Sequence, residues 1–270
     1  MSSRLLVQRT APDIERLLGD GSVLVIPIGS IEQHGAHLPI ATDLLIAEAI
    51  AVAATELAAD DGIDVWLLPA IAYTKSDEHH WAPGTIWLSW ETLMNTIIDI
   101  GRSLATTQAR RLVLLNGHGG NSALIEVACR ELRRRFGLHT FAMRAYSPAV
   151  RFRELSQRAE FGLGIHGGLL ETSMMLHLHP DLVHMDLAVR HVPEHLDDYQ
   201  HVGFGKRASF GWLSSDFDPA GVIGDPTAAT AQIGAELFAD AVAEVASAFA
   251  EISTFQPASQ SLSTAKTATP

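Results

Sequence analysis

An acidic residue and a histidine follow the first strongly apolar segment, in the motif Gly29-Ser30-Ile31-Glu32-Gln33-His34-Gly35. If the backbone stays extended past this glycine, Glu32 and His34 point to the same side, because side chains alternate along a strand. A carboxylate and an imidazole that converge in this way suit Zn²⁺, Mn²⁺ or Fe²⁺. Asp43 opens the next helical segment and could fold back over the same point. In the alternative interpretation, Glu32 and His34 are surface residues and Asp43 only caps a helix.

A glycine-rich turn, Asn116-Gly117-His118-Gly119-Gly120-Asn121, follows another apolar segment. Its glycines let the backbone turn tightly, and we expect this turn to hold His118 at the edge of a sheet. A phosphate-binding loop is disfavoured, because the motif has no lysine and no G-x-G-x-x-G spacing. The alternative is an ordinary turn whose histidine is exposed.

A third motif, His166-Gly167-Gly168-Leu169-Leu170-Glu171-Thr172-Ser173, places His166 and Glu171 on either side of a glycine turn into a helix. An acidic residue near a helix start also interacts favourably with the helix dipole, so Glu171 needs no catalytic role to be explained. In the functional interpretation, Glu171 is a metal ligand and His166 is an acid–base group.

The segments that must position these residues alternate between apolar strands and helices. Predicted strands span Val23–Gly29, Val65–Ile71, Arg111–Asn116 and Leu138–Met143, and predicted helices run from about Thr42 to Leu57, Glu91 to Ala109, Ser122 to Phe136, Glu171 to Leu178, and onward from Asp225-Pro226. This alternation predicts an α/β fold with a mostly parallel central sheet and helices on both faces. In such sheets ligands bind beyond the carboxyl ends of the strands, where the first two motifs fall.

Three polar regions have no assigned element. They are the loop Tyr73–Pro83, which holds Asp77, Glu78, His79, His80 and Trp81, and the segments Arg151–Gly164 and His184–Ser215. Residues 257–270 are rich in Ser, Thr, Ala, Gln and Pro and are predicted to be a disordered tail. The remaining residues, 1–256, suit a single domain.

The composition excludes several classes of partner. The chain has 270 residues and a formal net charge of -12, and such an acidic surface repels phosphate backbones, so no nucleic-acid partner is expected. Its apolar stretches are shorter than the ~20 residues that a membrane span requires. We see no signal peptide, and the one cysteine, Cys129, excludes an internal disulfide. These features predict a cytoplasmic protein with no membrane partner.

Taken together, these motifs resemble the creatininase (creatinine amidohydrolase) family. The similarity also includes His37-Leu38-Pro39, Pro83-Gly84-Thr85-Ile86 and Gly221-Val222-Ile223-Gly224-Asp225-Pro226, and it extends from about Val23 to Phe249. The resemblance implies a creatininase-like domain with two divalent ions, Zn, Mn or Fe. Glu32 and His118 would bind one ion, His34 would bind the other, and Asp43 would bridge both. It also implies a homo-oligomer, often a hexamer.

The resemblance also marks a substrate-binding position and two departures. Ser76 takes the place of a serine that contacts substrate in creatininase. Creatininase carries a carboxylate ligand where this chain has Gly120, and we expect Glu171 to replace that ligand because Gly119-Gly120 opens space there. No residue is matched to the tryptophan that stacks on substrate, so a branch that does not act on creatinine is compatible with the sequence.

The predicted function is that of a dinuclear metal-dependent amidohydrolase. A metal-activated water would attack a C–N bond of a small cyclic amide, amidine or related amide, and His166 or Glu171 would pass a proton to the leaving nitrogen. A cofactor-pathway deformylase and a mycofactocin-type peptidase are alternatives within the family. A metal-binding or sensor protein with one closed site is the non-enzymatic alternative. A metal-free glycosidase that uses Glu32 and Asp43 would leave the histidines unexplained.

Overall fold

Strand β1, Val23–Ile28, is buried along its whole length, as its continuous apolar run predicts. In the computed structural model, which describes residues 3–257, it lies at the centre of the sheet. Its neighbours are β2, Val65–Leu67, and β3, Arg111–Asn116, and β4, His139–Arg144, pairs with β3. The strand order is β2-β1-β3-β4 and every pairing is parallel, so the predicted parallel sheet is confirmed.

Helices cover both faces of this sheet. They are α1 (Ala11–Leu17), α2 (Thr42–Asp60), α3 (Trp90–Leu104), α4 (Ser122–Phe136), α5 (Val150–Glu160), α6 (Leu169–Leu178) and α7 (Ala231–Thr254). Val25 packs into the apolar cluster that α2 and α7 share, whereas the adjacent Leu24 packs into the cluster of α3 and α4. Because neighbouring strand residues face opposite sides, each apolar strand contributes to two cores.

Two predicted element boundaries are wrong. Strand β2 ends at Leu67, and the chain rejoins β1 only through an isolated bridge at Ile71. Pro226 does not open the long helix. It begins a short 3-10 turn, Pro226–Ala228, and α7 begins after Thr230, whose hydroxyl oxygen accepts a hydrogen bond from the backbone N–H of Ile233.

The regions without a predicted helix or strand differ in their observed structure. The segment that begins at Arg151 lies mostly in α5, whereas residues 184–215 contain only short 3-10 turns among their loops. Within residues 3–257, no helix is both long and apolar enough to cross a membrane. The predicted disordered tail lies outside the described residues, apart from Pro257.

Candidate metal centre

The first turn of α2 lies across the carboxyl ends of β1 and β3 because glycines end both strands. A Cβ atom on Gly29 would overlap the backbone of Leu44, and one on Gly117 would lie 2.9 Å from the carbonyl oxygen of Asp43. Neither contact leaves room for a side chain. The two glycines therefore let the helix approach closely enough to bring Asp43 to the sheet edge.

Asp43 lies inside the first turn of α2 and does not cap the helix. The N-cap residue is Ala41, and the hydroxyl of Thr42 donates to the carbonyl oxygen of Pro39 at 2.7 Å. The alternative interpretation, in which Asp43 only caps the helix, is therefore wrong. The carboxylate of Asp43 is free to face the loops that follow the strands.

Four predicted ligands meet at the carboxyl ends of β1 and β3, and the two oxygens of Asp43 face two different histidines. Asp43 Oδ1 lies 3.2 Å from His34 Nε2, and Asp43 Oδ2 lies 3.0 Å from His118 Nδ1. Glu32 Oε2 is 3.2 Å from the same nitrogen of His118. All four side chains are buried. In this arrangement, one oxygen of Asp43 faces each histidine.

Glu171 joins the cluster from the first turn of α6, on the side of His34. Its Oε2 atom lies 4.0 Å from His34 Nε2 and accepts a hydrogen bond of 2.7 Å from the backbone N–H of Gly167. Its Oε1 atom accepts a 3.3 Å hydrogen bond from the hydroxyl of Tyr146. The glycine turn and the tyrosine thus hold the carboxylate of Glu171 toward the cluster.

His166 lies against the other side of Glu32. Its Nε2 atom is 2.7 Å from the carbonyl oxygen of Gln33, which can only accept a hydrogen bond, so this nitrogen carries the proton. The unprotonated Nδ1 atom then faces Glu32 Oε1 at 3.5 Å. Burial and the neighbouring charge of His34 hold the pKa of His166 well below its usual value. His166 is therefore a neutral imidazole that can accept a proton or bind a cation.

Several buried polar atoms of the cluster lack a hydrogen-bond partner, and their arrangement suits a bound cation. Among the described residues, Glu32 Oε1, His34 Nε2 and Asp43 Oδ2 are buried without a hydrogen-bond partner. Buried polar atoms are normally paired, since an unpaired atom costs free energy. Three groups of possible ligand atoms, each within 4.8 Å of one another, draw on Glu32, His34, Asp43, His118, His166 and Glu171. These oxygen and nitrogen donors suit Zn²⁺, Mn²⁺ or Fe²⁺.

The electrostatics of the cluster also favour positive charge. Burial alone would lower the pKa of His34, but the carboxylates of Asp43, Glu32 and Glu171 together outweigh it and raise this pKa to about 10. The pKa of His118 is likewise raised against burial, chiefly by Glu32 and Asp43. Burial raises the pKa of Glu171 to about 7, and the charge of Asp43 acts in the same direction. Without bound cations, protons on the histidines compensate the carboxylates.

Ser76 lies in the same buried layer. Its hydroxyl donates a 2.5 Å hydrogen bond to Glu32 Oε2, so it positions a candidate metal ligand. Its predicted contact with substrate stays a prediction. The side chain is fully buried behind Glu32.

Sequence analysis assigned no role to two further residues of the site. Glu78 and His79 lie on a 3-10 turn, Asp77–His79, in the loop that follows β2. His79 Nε2 is 3.6 Å from Glu32 Oε1, and Glu78 Oε1 is 3.2 Å from His118 Nε2. The run of ionisable residues in that loop could have indicated these two residues. Strand β2 lies next to β1 and parallel to it, so the loops that follow the two strands begin at the same edge of the sheet.

The space beside Gly120 is filled, but not by Glu171 as expected. A Cβ atom on Gly120 would overlap the carboxylate of Glu78. Glu171 lies beside His34 instead, so the expectation that Glu171 would occupy the space beside Gly120 is wrong. The loop after β2 reaches this place because it continues directly from the strand next to β1.

A cavity of about 140 Å³ adjoins the cluster. The residues that line it are Tyr146, Pro148, Glu160, Gly164, Ile165, His166, Gly168, Leu170 and Glu171. Both residues predicted to be catalytic therefore face this cavity. Their catalytic roles stay predictions.

Comparison with known proteins gives consistent results. A family model described as creatininase, creatinine amidohydrolase, matches residues 7–249. Creatinine amidohydrolase from Pseudomonas putida is 37% identical over 201 residues, which cover 68% of this chain and 75% of that protein. Mycofactocin precursor peptide peptidase from Mycobacterium ulcerans is 36% identical over 235 residues, which cover 84% of each chain.

Solved structures extend this similarity to the fold. A crystal structure of creatinine amidohydrolase (creatininase) matches with a TM-score of 0.76 and 28% identity, over 95% of this chain and 100% of that one. A creatininase structure described as the Mn form matches with a TM-score of 0.74 and 29% identity, over 93% and 98% of the two chains. With the family model matching nearly the whole described chain, this protein belongs to the creatininase family of hydrolases, as its motifs predicted.

Proposed function

We propose that this protein is a dinuclear metal-dependent hydrolase that cleaves a C–N bond of a small cyclic amide, amidine or related amide. The observation that carries the proposal is the position of Asp43. One of its oxygens lies 3.2 Å from His34 and the other lies 3.0 Å from His118. A carboxylate shared in this way suits a pair of neighbouring cations better than one closed structural site.

The residues divide into two sets around Asp43. Glu32 and His118 would hold one ion, His34 and Glu171 would hold the other, and Asp43 would contact both. When bound, such ions act as Lewis acids that activate water near neutral pH and stabilise negative charge on the substrate oxygen. The relative described as the Mn form of creatininase supports a metal at this site.

Glu171 and His166 would move the protons of the reaction. Both line the cavity beside the cluster. This position would let them accept and donate a proton, as transfer to a leaving nitrogen requires. The hydrogen bonds from Gly167 and Tyr146 would keep Glu171 aimed at the substrate.

A peptidase of the mycofactocin type is the second candidate. The peptidase from Mycobacterium ulcerans aligns over 84% of this chain, against 68% for the Pseudomonas putida creatinine amidohydrolase, at nearly equal identity. The same ligands and proton-transfer groups would serve either substrate, because both reactions hydrolyse an amide-type bond. The choice therefore depends on what the cavity admits.

The test combines metal analysis with a substrate panel. Protein stripped with a chelator would be reloaded separately with Zn²⁺, Mn²⁺ or Fe²⁺, its bound metal counted by elemental analysis, and its hydrolysis of creatinine, formamides and short peptides measured. We expect two ions per chain and metal-dependent hydrolysis of a small amide. One ion with no hydrolysis would favour a binding protein, and full activity in the stripped protein would refute the metal mechanism.

A further inference from the structure

Glu78 approaches His118 from the side that faces away from the candidate metal ligands. His118 Nδ1 faces Glu32 and Asp43, whereas His118 Nε2 faces the backbone carbonyl oxygen of Lys75 at 3.0 Å and Glu78 Oε1 at 3.2 Å. Both neighbours of Nε2 accept hydrogen bonds and cannot donate one in their ordinary states. The proton of a neutral His118 therefore sits on Nε2, and the lone pair of Nδ1 points into the cluster.

We propose that Glu78 is a positioning residue of the metal centre, which fixes the orientation and tautomer of His118 so that Nδ1 binds a metal ion. Metal-binding histidines commonly donate their second ring N–H to a carboxylate or a carbonyl, which makes them better ligands. Here His118 has both kinds of acceptor. The inference rests on the proposed function, because it requires an ion on the Nδ1 side.

Lys75 holds Glu78 in place. Its ammonium group contacts Glu78 Oε2 at 3.0 Å and Asp77 Oδ1 at 2.7 Å. Its backbone N–H donates a 3.2 Å hydrogen bond to Asn121 Oδ1, in the turn that carries His118. Lys75 thus ties the loop after β2 to the turn after β3, and its charge compensates the buried carboxylate of Glu78.

The hydroxyl of Ser214 anchors the backbone of Glu78. It donates a 3.1 Å hydrogen bond to the carbonyl oxygen of Glu78 and accepts one of 2.8 Å from the indole N–H of Trp81. Ser214 belongs to the segment that sequence analysis left unassigned. That segment therefore supports the 3-10 turn on which Glu78 lies.

Gly120 makes this placement possible. Its φ angle lies outside the left-handed region, so glycine is needed there for space and not for an unusual conformation. A Cβ atom at this position would overlap the carboxylate of Glu78 and would also overlap His118 Nε2. Gly120 therefore leaves the space in which Glu78 and His118 meet, and a test of Glu78 requires substitutions at Glu78 itself.

The test compares Glu78→Gln with Asp77→Asn as a matched control. Both substitutions neutralise a carboxylate that contacts Lys75, but only Glu78 contacts His118. Chelator competition with Zn²⁺ would give the affinity of each ion, and elemental analysis at saturating Zn²⁺ would give the stoichiometry. We expect Glu78→Gln to weaken one ion by about 10- to 100-fold and to leave the other ion and the saturated stoichiometry unchanged. Asp77→Asn should change neither affinity by more than about twofold, as expected for an exposed ion pair.

Glu78→Ala, which removes the carboxylate altogether, should weaken the same ion as Glu78→Gln, which keeps the test usable if one variant folds poorly. Unchanged affinities in Glu78→Gln, equal weakening of both ions, or loss of one ion at saturating Zn²⁺ would each overturn the proposed positioning role. Wild-type protein that binds no Zn²⁺ would instead refute the proposed function. The two failures are therefore distinguishable.

Discussion

The two ends of the candidate metal centre differ in what lies behind each histidine. At the His34 end, formed by His34 and Glu171, the Nδ1 atom of His34 lies 3.1 Å from the carbonyl oxygen of Glu32, only two residues away. At the His118 end, formed by His118 and Glu32, the outward nitrogen of His118 faces Lys75 and Glu78 from a different loop. His34 is therefore positioned by the segment that carries it, whereas His118 is positioned by a segment that is distant in the sequence.

Under the proposed function, the two ends would have different tasks. The His34 end adjoins the cavity and carries Glu171. The His118 end lies against the loop after β2, so changes in that loop would alter the affinity for an ion at this end. Asp43 places one oxygen toward each end, and Glu32, which belongs to the His118 end, also lies 4.0 Å from His34 Nε2.

Replacing Asp43 with Ala should have the largest effect, because it removes the shared ligand and leaves His34 and His118 without their common carboxylate. We expect loss of both ions by elemental analysis and a fall in hydrolysis of at least about 1,000-fold. Glu48→Ala, an exposed position on the same helix, serves as the control. A variant that retains both ions would show that Asp43 does not bridge the ends.

Replacing Glu171 with Gln should affect only the His34 end. The substitution keeps the shape of the side chain but removes a negative charge 4.0 Å from His34 Nε2. We expect the second ion to bind at least about 10-fold more weakly, with the ion of the His118 end unchanged, as measured by chelator competition. Equal metal content and equal activity in the variant and the wild type would show that Glu171 is neither a metal ligand nor a proton-transfer group.

The pH dependence of the metal-free protein should report on His34. Against the effect of burial, the neighbouring carboxylates raise the pKa of His34 from 6.5 to about 10, so the folded state holds this proton more tightly than the unfolded state. The resulting stabilisation is fully present below pH 6.5 and is lost as the pH rises toward 10, with a slope of at most about 1.4 kcal/mol per pH unit. Urea unfolding across this range should show a shallower fall for His34→Gln than for the wild type. His184→Gln, at an exposed histidine, should retain the full slope.

Sequence patterns predicted the parts of the molecule that depend on local order. Continuous apolar runs identified three of the four parallel strands, and the motifs that follow two of them identified Glu32 and His118. Because the carboxyl ends of parallel strands meet at one edge, these residues could be expected to lie together. The alternation of strands and helices also predicted the layered fold.

What the sequence did not reveal depends on contacts between distant segments. Glu78 lies in an irregular loop, and nothing in its spacing indicates that it would fill the space beside Gly120. The contact of Tyr146 with Glu171 joins residues that are 25 positions apart in the sequence. Pro226 is a suitable first residue for a helix, yet the hydrogen bond from the N–H of Thr227 to Asp225 favours a separate short turn.

The smallest predicted effect concerns Tyr146, which gives the His34 end its own distant support. Burial raises the pKa of the Tyr146 hydroxyl well above its usual value, so it stays protonated and donates to Glu171 Oε1 at 3.3 Å. Because this hydrogen bond is long, Tyr146→Phe should lower kcat by only about 3- to 10-fold. Both ions should remain bound, since Glu171 Oε2 keeps its hydrogen bond from Gly167. Weaker binding of the ion at the His118 end in this variant would show that the two ends are coupled, because the hydroxyl of Tyr146 donates to the carboxylate of the opposite end.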